Sequence, residues 1–337
     1  MDIAVVVNLR ARRGSPAVAQ RCRAELPQAR IFSSRSLDET RGFAETLAGA
    51  PPGLLLSAGG DGTAIGLINT LRDVDPAALR DGARDLVLGV LPLGTGNAWA
   101  RATGAKSWKD ALARLGEVQG RTTALPRQSF GLLDIDGHLA HFAGTGWDAE
   151  MIDDFHAQKT APGILPKSRR DGLTGYLNGM FTRTVPRHMF GTGVEVELVN
   201  TGSDALAVDA NGRAFPLPGG EHGKVLYRGS TSVCAAGTTE EWGFDFRAFP
   251  FARLVPGRFC MRIYSGSSVS ATMRMGKLWR GEHPCPGMST WLVDKCRATF
   301  SREVPFQIGG DRQGHRDVID FAIAKEQVDL LDWRALS

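Results

Sequence analysis

The sequence predicts an α/β domain built on a parallel sheet, followed by a β-rich domain. Two observations carry this. Over the first third, aliphatic runs alternate with helix-like segments; from about Leu125 the texture becomes short segments with partial period-2 alternation. A chain of 337 residues, 42% hydrophobic and 23% charged, is long enough to bury a core in each.

"IAVVVN" (3–8), "LLLS" (54–57) and "DLVLGVLPL" (85–93) are aliphatic runs bounded by turn residues, the pattern of buried parallel strands. Helix starts lie between them. Ser15-Pro16 supplies an N-cap and a first-turn proline before "AVAQRCRAEL". Ser36 with Glu39 predicts a capping box on a helix ending near Gly49. Ser107 and Asp110 open another around "ALARL", with Gly116 as its expected terminator. Later, "FGLLDIDGHLAHFAGTG", "TGVEVELVN", "KVLYRGSTSVCAAG", "RFCMRIYSG" and "RATFSREVPFQIGG" read as antiparallel strands, with one helix-like insert, "DGLTGYLNGMFTRT". The expected division is 1–125 for the α/β domain, to which the last residues of the chain return, and 126–337 for the β-rich one.

Composition excludes several classes. No apolar run approaches the roughly 20 residues that span a bilayer, and "MDIAVVVNLRARRG" lacks the layout of a signal peptide. Cys22, Cys234, Cys260, Cys285 and Cys296 have no CxxC spacing, which fits a reducing cytoplasm rather than zinc or disulfides. A net charge of +4 does not imply nucleic acid. Between residues 156 and 190, however, six Lys/Arg face one acid, Asp171.

Ligands of parallel α/β sheets bind beyond the carboxyl ends of the strands, and three loops leave the predicted strands there. "NLRARRGS" begins at Asn8 and carries basic residues up to a helix start, a setting that suits an anion. In "GGDGT", Gly59, Gly60 and Gly62 clear β-carbons from the backbone, Asp61 adds a carboxylate and Thr63 a hydroxyl. "LPLGTGNAWAR" places Gly94, Thr95, Gly96 and Asn97 before an apparent helix. Neither glycine loop has the spacing of a dinucleotide fingerprint or a Walker loop. Two such loops at the strand ends of one unit nonetheless predict phosphate binding.

Asn8, "GGDGT" and "PLGTGN" together resemble the catalytic domain of the diacylglycerol kinase and sphingosine kinase family of lipid kinases, whose fold is shared with NAD kinases and phosphofructokinases. The resemblance covers about the first 120 residues well and extends more weakly through "GTGWDAEM" and "PFQIGGDRQG". It implies a Rossmann-like α/β domain, a β-sandwich domain and an active cleft between them. It also implies that the glycine loops hold the ATP phosphates, with Mg²⁺ bound alongside the nucleotide, while a lipid hydroxyl attacks the γ-phosphate. Asn8, Gly59, Gly60, Asp61, Gly62, Thr63, Gly94, Thr95 and Asn97 become the nucleotide-binding residues. Asp148 matches a lipid head-group contact of sphingosine kinases and also reads as a helix N-cap.

The sequence departs from the family at several points. The Pro-x-Ser-Gly that normally follows the first asparagine is absent, Gly66 replaces a glutamate, and Ala98 follows Asn97 as in sphingosine kinases. No P-loop lysine is present; Arg10, Arg12 or Arg13 is the expected source of positive charge. The family's Asp-Gly-Glu maps onto Gly309-Gly310-Asp311, which leaves Asp311 as candidate base and Asp61 as the competing catalytic acid. Val255-Pro256-Gly257 stands where paired aspartates would hold a structural Mg²⁺, so no such metal is expected.

The expected activity is ATP-dependent phosphorylation of diacylglycerol or a related neutral lipid alcohol. A sphingoid-base or ceramide kinase is the alternative, and a catalytically weak nucleotide- or lipid-binding regulator is the reading of another class. The segment 159–170, with Ile164 and Leu165 among Lys159, Lys167, Arg169 and Arg170, is the expected contact with the inner membrane face. The expected location is therefore the cytoplasm with transient membrane contact; oligomer formation is left open.

Overall fold

The computed structural model describes residues 2–77, 86–118, 124–147, 149–150 and 194–336. Asp148, the basic segment 159–170 and the helix-like stretch 171–184 lie outside the described residues. The chain divides into two compact units, Met1–Leu132 with Ala324–Ser337, and Leu133–Ile323.

The first unit runs β1 (Ile3–Asn8), α1 (Pro16–Glu25), β2 (Arg30–Ser34), α2 (Leu37–Gly49), β3 (Leu54–Gly59), α3 (Asp61–Val74), β4 (Val87–Pro92), α4 (Ala98–Ala102) and α5 (Trp108–Val118). β1 pairs in parallel with β2 on one side and β3 on the other, and β3 pairs with β4. The sheet order β2–β1–β3–β4 therefore reverses at β1, which makes the carboxyl ends of β1 and β3 the topological switch point. β3 and β4 are buried along their whole length, as helices on both faces demand. α3 turns Ala64, Ile65, Leu67, Ile68 and Leu71 into that core, each large aliphatic contributing about 1.5–3 kcal/mol of burial. The end of the chain's last strand pairs in parallel with β4 at Asp329 and Leu330. Beyond it Trp333, 1% exposed, hydrogen-bonds through its backbone N–H to Thr103.

Several local expectations change. β2, "RIFSS", is only half-buried and pairs with β1 alone; its weak alternation hides it in the sequence. Gly116 does not end α5, which continues to Val118. A β-carbon at Gly116 would lie 2.9 Å from the Glu25 carbonyl oxygen, so this glycine admits the end of α1 rather than stopping a helix. Ser36 Oγ caps α2 by accepting the Glu39 N–H at 3.1 Å, but the Glu39 carboxylate accepts from the N–H of Arg35, so the box is not reciprocal.

β5 (Arg127–Ile135) leads into the second unit, which contains β6 (His138–Ala140), β7 (Phe142–Gly146), β8 (Val194–Asn200), β9 (Leu206–Val208), β10 (Ala214–Pro216), β11 (Val225–Thr231), β12 (Val233–Gly237), β13 (Phe259–Tyr264), α6 (Ser268–Met273), α7 (Met275–Trp279), β14 (Met288–Val293), β15 (Lys295–Ile308) and the start of β16 (Asp311–Leu331). One antiparallel series is β11–β8–β15–β16. The other is β9–β14–β13–β12–β7. β15 belongs to both, pairing with β8 over residues 296–300 and with β7 over 306–308, and its register against β16 breaks between Thr299 and Val304. A strand that changes sheets at an irregularity is how a sandwich turns a corner. Val196, Leu198, Met261, Ile263, Phe300 and Phe306 are among the residues filling the core between the layers.

All five cysteines are free and buried. Burial pushes the Cys22 and Cys260 thiols up to about 11, which keeps both neutral at physiological pH. Among the described residues no helix is long and apolar enough to cross a membrane.

Candidate active site

The first loop is set by Asn8 at the end of β1. Its Oδ1 accepts the Arg10 N–H at 2.8 Å, and its Nδ2 donates to Thr63 Oγ1 at 2.9 Å, linking it across the switch point to α3. The loop then folds back so tightly that a β-carbon at Gly14 would lie 2.1 Å from the Asn8 carbonyl oxygen. Arg13 donates its backbone N–H to the Leu93 carbonyl at 3.0 Å, which ties this loop to the one after β4. The side chains of Arg10, Arg12 and Arg13 are exposed and form no ion pair among the described residues.

The second and third loops pack directly on one another. Leu93 and Gly94 both donate backbone N–H groups to the Gly59 carbonyl, at 2.8 and 3.1 Å. A β-carbon on Gly94 would stand 2.3 Å from Gly60 Cα, and one on Gly60 would stand 3.0 Å from Gly94 Cα. Gly59 is equally constrained, since its β-carbon would meet the Thr63 side chain at 2.4 Å. Gly60 and Gly94 are therefore fixed by contact between loops, and Gly59 by the Thr63 side chain of its own loop.

Asp61 opens α3 and is 8% exposed. Its Oδ2 accepts the Ala98 N–H at 2.9 Å and its Oδ1 the Trp99 N–H at 3.1 Å. The carboxylate of the second loop thus satisfies two backbone donors of the helix that follows the third, a charge-assisted pair of bonds in a buried setting. Asn97, in the left-handed region at φ 57°, closes the third loop on itself. Its Oδ1 accepts the Gly94 N–H at 3.0 Å and its Nδ2 donates to the Gly94 carbonyl at 2.9 Å. Arg101 Nη1 donates to the Gly96 carbonyl.

What stays open is the outer side of these loops. Gly62 is exposed, and Thr63, Gly94, Thr95, Gly96 and Asn97 are half-exposed. The Thr63 and Ala64 N–H groups bond to the Gly60 carbonyl, which leaves those of Asp61 and Gly62 as the donors before the first intrahelical bond of α3, where the helix dipole adds partial positive charge. With three arginines on the neighbouring loop that form no ion pair among the described residues, the switch point is suited to a polyanion such as a nucleotide's phosphates. Asn8, Gly59, Gly60, Asp61, Gly62, Thr63, Gly94, Thr95 and Asn97 all lie in this one constellation.

Asp311 lies in the second unit, exposed at the start of β16. Gly309 and Gly310 precede it at φ 58° and 92°, the two left-handed positions of a tight hairpin turn between β15 and β16. Asp-Gly and Gly-Gly both satisfy such a turn, so Gly309 keeps the backbone path while removing a carboxylate. The Gly309 N–H bonds to the Phe142 carbonyl at 2.8 Å, and the Gly310 N–H to Gln307 Oε1 at 2.8 Å.

The bonds from Arg13 to Leu93, from Asp61 to α4 and from Arg101 to Gly96 were not foreseen. Only the last has a sequence signal, an arginine three residues after the residue that begins a helix. Arg262, in the middle of the buried strand "FCMRIY", is a further buried polar residue that the sequence reading passed over. An arginine inside an aliphatic alternation is its signal.

Comparison with known proteins follows this geometry. Residues 2–125 match the family model of the diacylglycerol kinase catalytic domain. No curated protein matches the chain. Among solved structures, one described as a diacylglycerol kinase from Bacillus anthracis str. Sterne is similar with a TM-score of 0.61 at 11% identity, covering 98% of this chain and 96% of that one. Two further structures, each described as a putative diacylglycerol kinase from that organism, give TM-scores of 0.64 and 0.63, both at 14% identity. The first covers 98% of this chain and 96% of its own, and the second 100% and 98%. At such identities the structural likeness carries the two-domain fold. The family-model match supports a kinase related to the lipid kinases, and it extends over residues 2–125.

Proposed function

From the diacylglycerol kinase catalytic domain in residues 2–125, we propose that the protein is an ATP-dependent lipid kinase acting on the hydroxyl of diacylglycerol or a related neutral lipid alcohol. The observation that carries this is the mutual closure of the "GGDGT" and "GTGN" loops, with Gly60 against Gly94 and Asp61 capping α4. That closure fixes backbone donors at the switch point before any nucleotide arrives. Phosphoryl transfer asks mainly for this, positioning and charge neutralisation rather than covalent help from the protein.

In the proposed reaction, the backbone N–H groups of Gly62 and Thr95 and the guanidinium groups of Arg10, Arg12 and Arg13 take the phosphates. The lipid hydroxyl oxygen forms a bond to the γ-phosphorus, the bond from that phosphorus to the bridging oxygen of ADP breaks, and the hydroxyl proton passes to the Asp311 carboxylate. Asp61 holds the loops in register; each of its oxygens keeps a second lone pair. Mg²⁺ would be carried by the nucleotide's phosphates, within reach of the lone pairs that the Asp61 oxygens retain beside their bonds to Ala98 and Trp99. Bound in that way it supplies charge neutralisation. The segment 159–170 is the proposed contact with an anionic membrane surface, consistent with its four basic residues.

The test is transfer of labelled phosphate from ATP with Mg²⁺ to mixed micelles holding diacylglycerol, ceramide or sphingosine. Phosphorylated diacylglycerol is expected, with loss of at least 100-fold in Asp311→Asn at unchanged nucleotide affinity. Nucleotide binding without transfer to any lipid would overturn the kinase reading in favour of a binding regulator, which the glycine at 309 would then explain.

A further inference from the structure

The residues that follow β16 close on the carboxyl end of α4, all within the first unit. Asp332 donates its backbone N–H to the Pro126 carbonyl at 2.8 Å, and Trp333 donates its own to the Thr103 carbonyl at 2.9 Å. Trp333 is buried, and a β-carbon at Gly89 of β4 would stand 3.2 Å from its Cζ2, so the indole is seated against the sheet. Arg334 then reaches over Gly104, where a β-carbon would meet its Cγ at 2.4 Å. From there its Nη2 donates to the Ala102 carbonyl at 2.7 Å. Asp332 Oδ1 accepts the N–H and the Nε of Arg334 at 3.1 and 3.2 Å, and Asp332 Oδ2 accepts from Gln128 Nε2 at 2.6 Å. The guanidinium is thereby aimed at α4.

α4 is five residues long, too short to persist as a helix by itself. Its carbonyls show what holds it. Those of Trp99, Ala100 and Arg101 accept from Thr103, Ala105 and Gly104, all close in sequence. Those of Ala102 and Thr103 accept from Arg334 and Trp333, and the Arg334 bond spans 232 residues. At the other end the Asp61 carboxylate accepts the Ala98 and Trp99 N–H groups. A carboxylate at the amino end and a guanidinium at the carboxyl end both complement a helix dipole. The Gly94–Asn97 loop runs straight into α4, so whatever fixes α4 fixes the rear of that loop.

We propose that Arg334 is a positioning residue for the phosphate site: by holding the carboxyl end of α4 it keeps the Gly94–Asn97 loop in the arrangement that receives a nucleotide's phosphates. The proposal rests on the reading of that loop as a nucleotide site. Arg334 acts through the Ala102 carbonyl and not by contact with the phosphates. A tail that merely completed the core would need Trp333 and Leu336, both buried. The Arg334 side chain is 59% exposed and adds little to the core, yet its guanidinium is placed on this helix.

Two measurements on the full chain test this, using Arg334→Met, Arg334→Lys and Arg30→Met. Methionine keeps an unbranched stem over Gly104 and removes the donors, whereas lysine keeps a cationic donor. Arg30 pairs with Asp2 at the amino ends of β1 and β2 and serves as control. Amide hydrogen exchange without nucleotide should rise about fivefold over residues 94–103 in Arg334→Met, the low end for a hydrogen bond to a charged group half in water. In calorimetric titration ATP affinity should fall about fivefold as well, since apparent affinity follows the fraction of molecules whose loop is competent. Arg334→Lys should recover part of both effects, and Arg30→Met should show neither. Unchanged exchange in Arg334→Met, or an equal rise in Arg30→Met, would overturn the proposal. So would faster exchange with unaltered ATP affinity, which would leave a structural clasp with no part in binding. Should Arg334→Met fail to fold, Arg334→Lys carries the comparison, with a smaller shift expected in both measurements. No uptake of ATP by the unaltered protein would overturn the nucleotide reading and this role with it. The exchange measurement, which needs no ATP, separates that failure from a failure of the anchor.

Discussion

Replacing Asp61 by asparagine separates two roles that one carboxylate could play. In the structure each oxygen accepts one buried backbone N–H, Ala98 at 2.9 Å and Trp99 at 3.1 Å. Asparagine keeps one carbonyl acceptor, and its amide would face the other N–H as a second donor. A buried donor stripped of its partner destabilises by about 1–3 kcal/mol, and the upper half applies because the lost acceptor is charged. The expected effect is therefore about 2–3 kcal/mol, read as a lower midpoint in fluorescence-monitored urea unfolding. Nucleotide affinity should fall with it, since α4 then no longer anchors the Gly94–Asn97 loop. Unaltered unfolding and nucleotide binding, with phosphotransfer down 100-fold or more, would refute the capping argument and make Asp61 a participant in the chemistry.

Gly94→Ala should separate the two glycine loops. Its β-carbon would stand 2.3 Å from Gly60 Cα, where carbon atoms normally approach to about 3.5–4.0 Å, so one backbone must move by about 1 Å. Urea unfolding should report a loss of about 1–3 kcal/mol, and transfer assays a fall of roughly 100-fold from misplacement of the donors. Gly66→Ala should do the opposite. It lies inside α3 with no atom nearer to a new β-carbon than Leu37 Cδ2 at 4.0 Å, so a gain of about 0.5–1 kcal/mol in the same unfolding assay is expected.

How much of this was legible in the sequence depends on the kind of signal each feature leaves. β1, β3 and β4 were readable because burial on both faces forces unbroken aliphatic runs. β2 was not, because a half-buried edge strand such as "RIFSS" carries no such run. Gly116 misled because a glycine that stops a helix and one that admits a neighbouring helix look alike in one dimension; only the 2.9 Å approach to the Glu25 carbonyl separates them. At the candidate site the nine expected phosphate-loop residues were nameable from the two glycine loops together with the family resemblance, but their partners were not. Asp61 reaches Ala98 across 37 residues and Asn8 reaches Thr63 across 55. No local pattern encodes a bond of that separation. Arg262 stands out among apolar neighbours, but its burial was not legible, since nothing in "FCMRIY" tells whether an arginine snorkels to water or stays in an apolar wall.

The glycines of "GGDGT" and "GTGN" bear on how a phosphate site can work without a P-loop lysine. A cleared backbone is usually taken as room for a ligand, yet at Gly59, Gly60 and Gly94 the room is filled by protein, the Thr63 side chain or the opposite loop. The gain lies in stiffness. Asn8 bonded to Thr63, Arg13 bonded to Leu93, and Asp61 bonded to Ala98 and Trp99 fasten three loops from three strands into one body. Donors held in such a body need little reorganisation when a polyanion arrives, which is the main source of electrostatic stabilisation in a transferring phosphoryl group. A lysine adds one mobile charge to such a site; in the proposed one that charge would come from the first loop, whose three exposed arginines form no ion pair among the described residues. On this argument the rigid and the charged parts are divided between loops. Asp61 belongs to the rigid part: its carboxylate holds the backbone of α4, and the two N–H groups it accepts face its negative charge there.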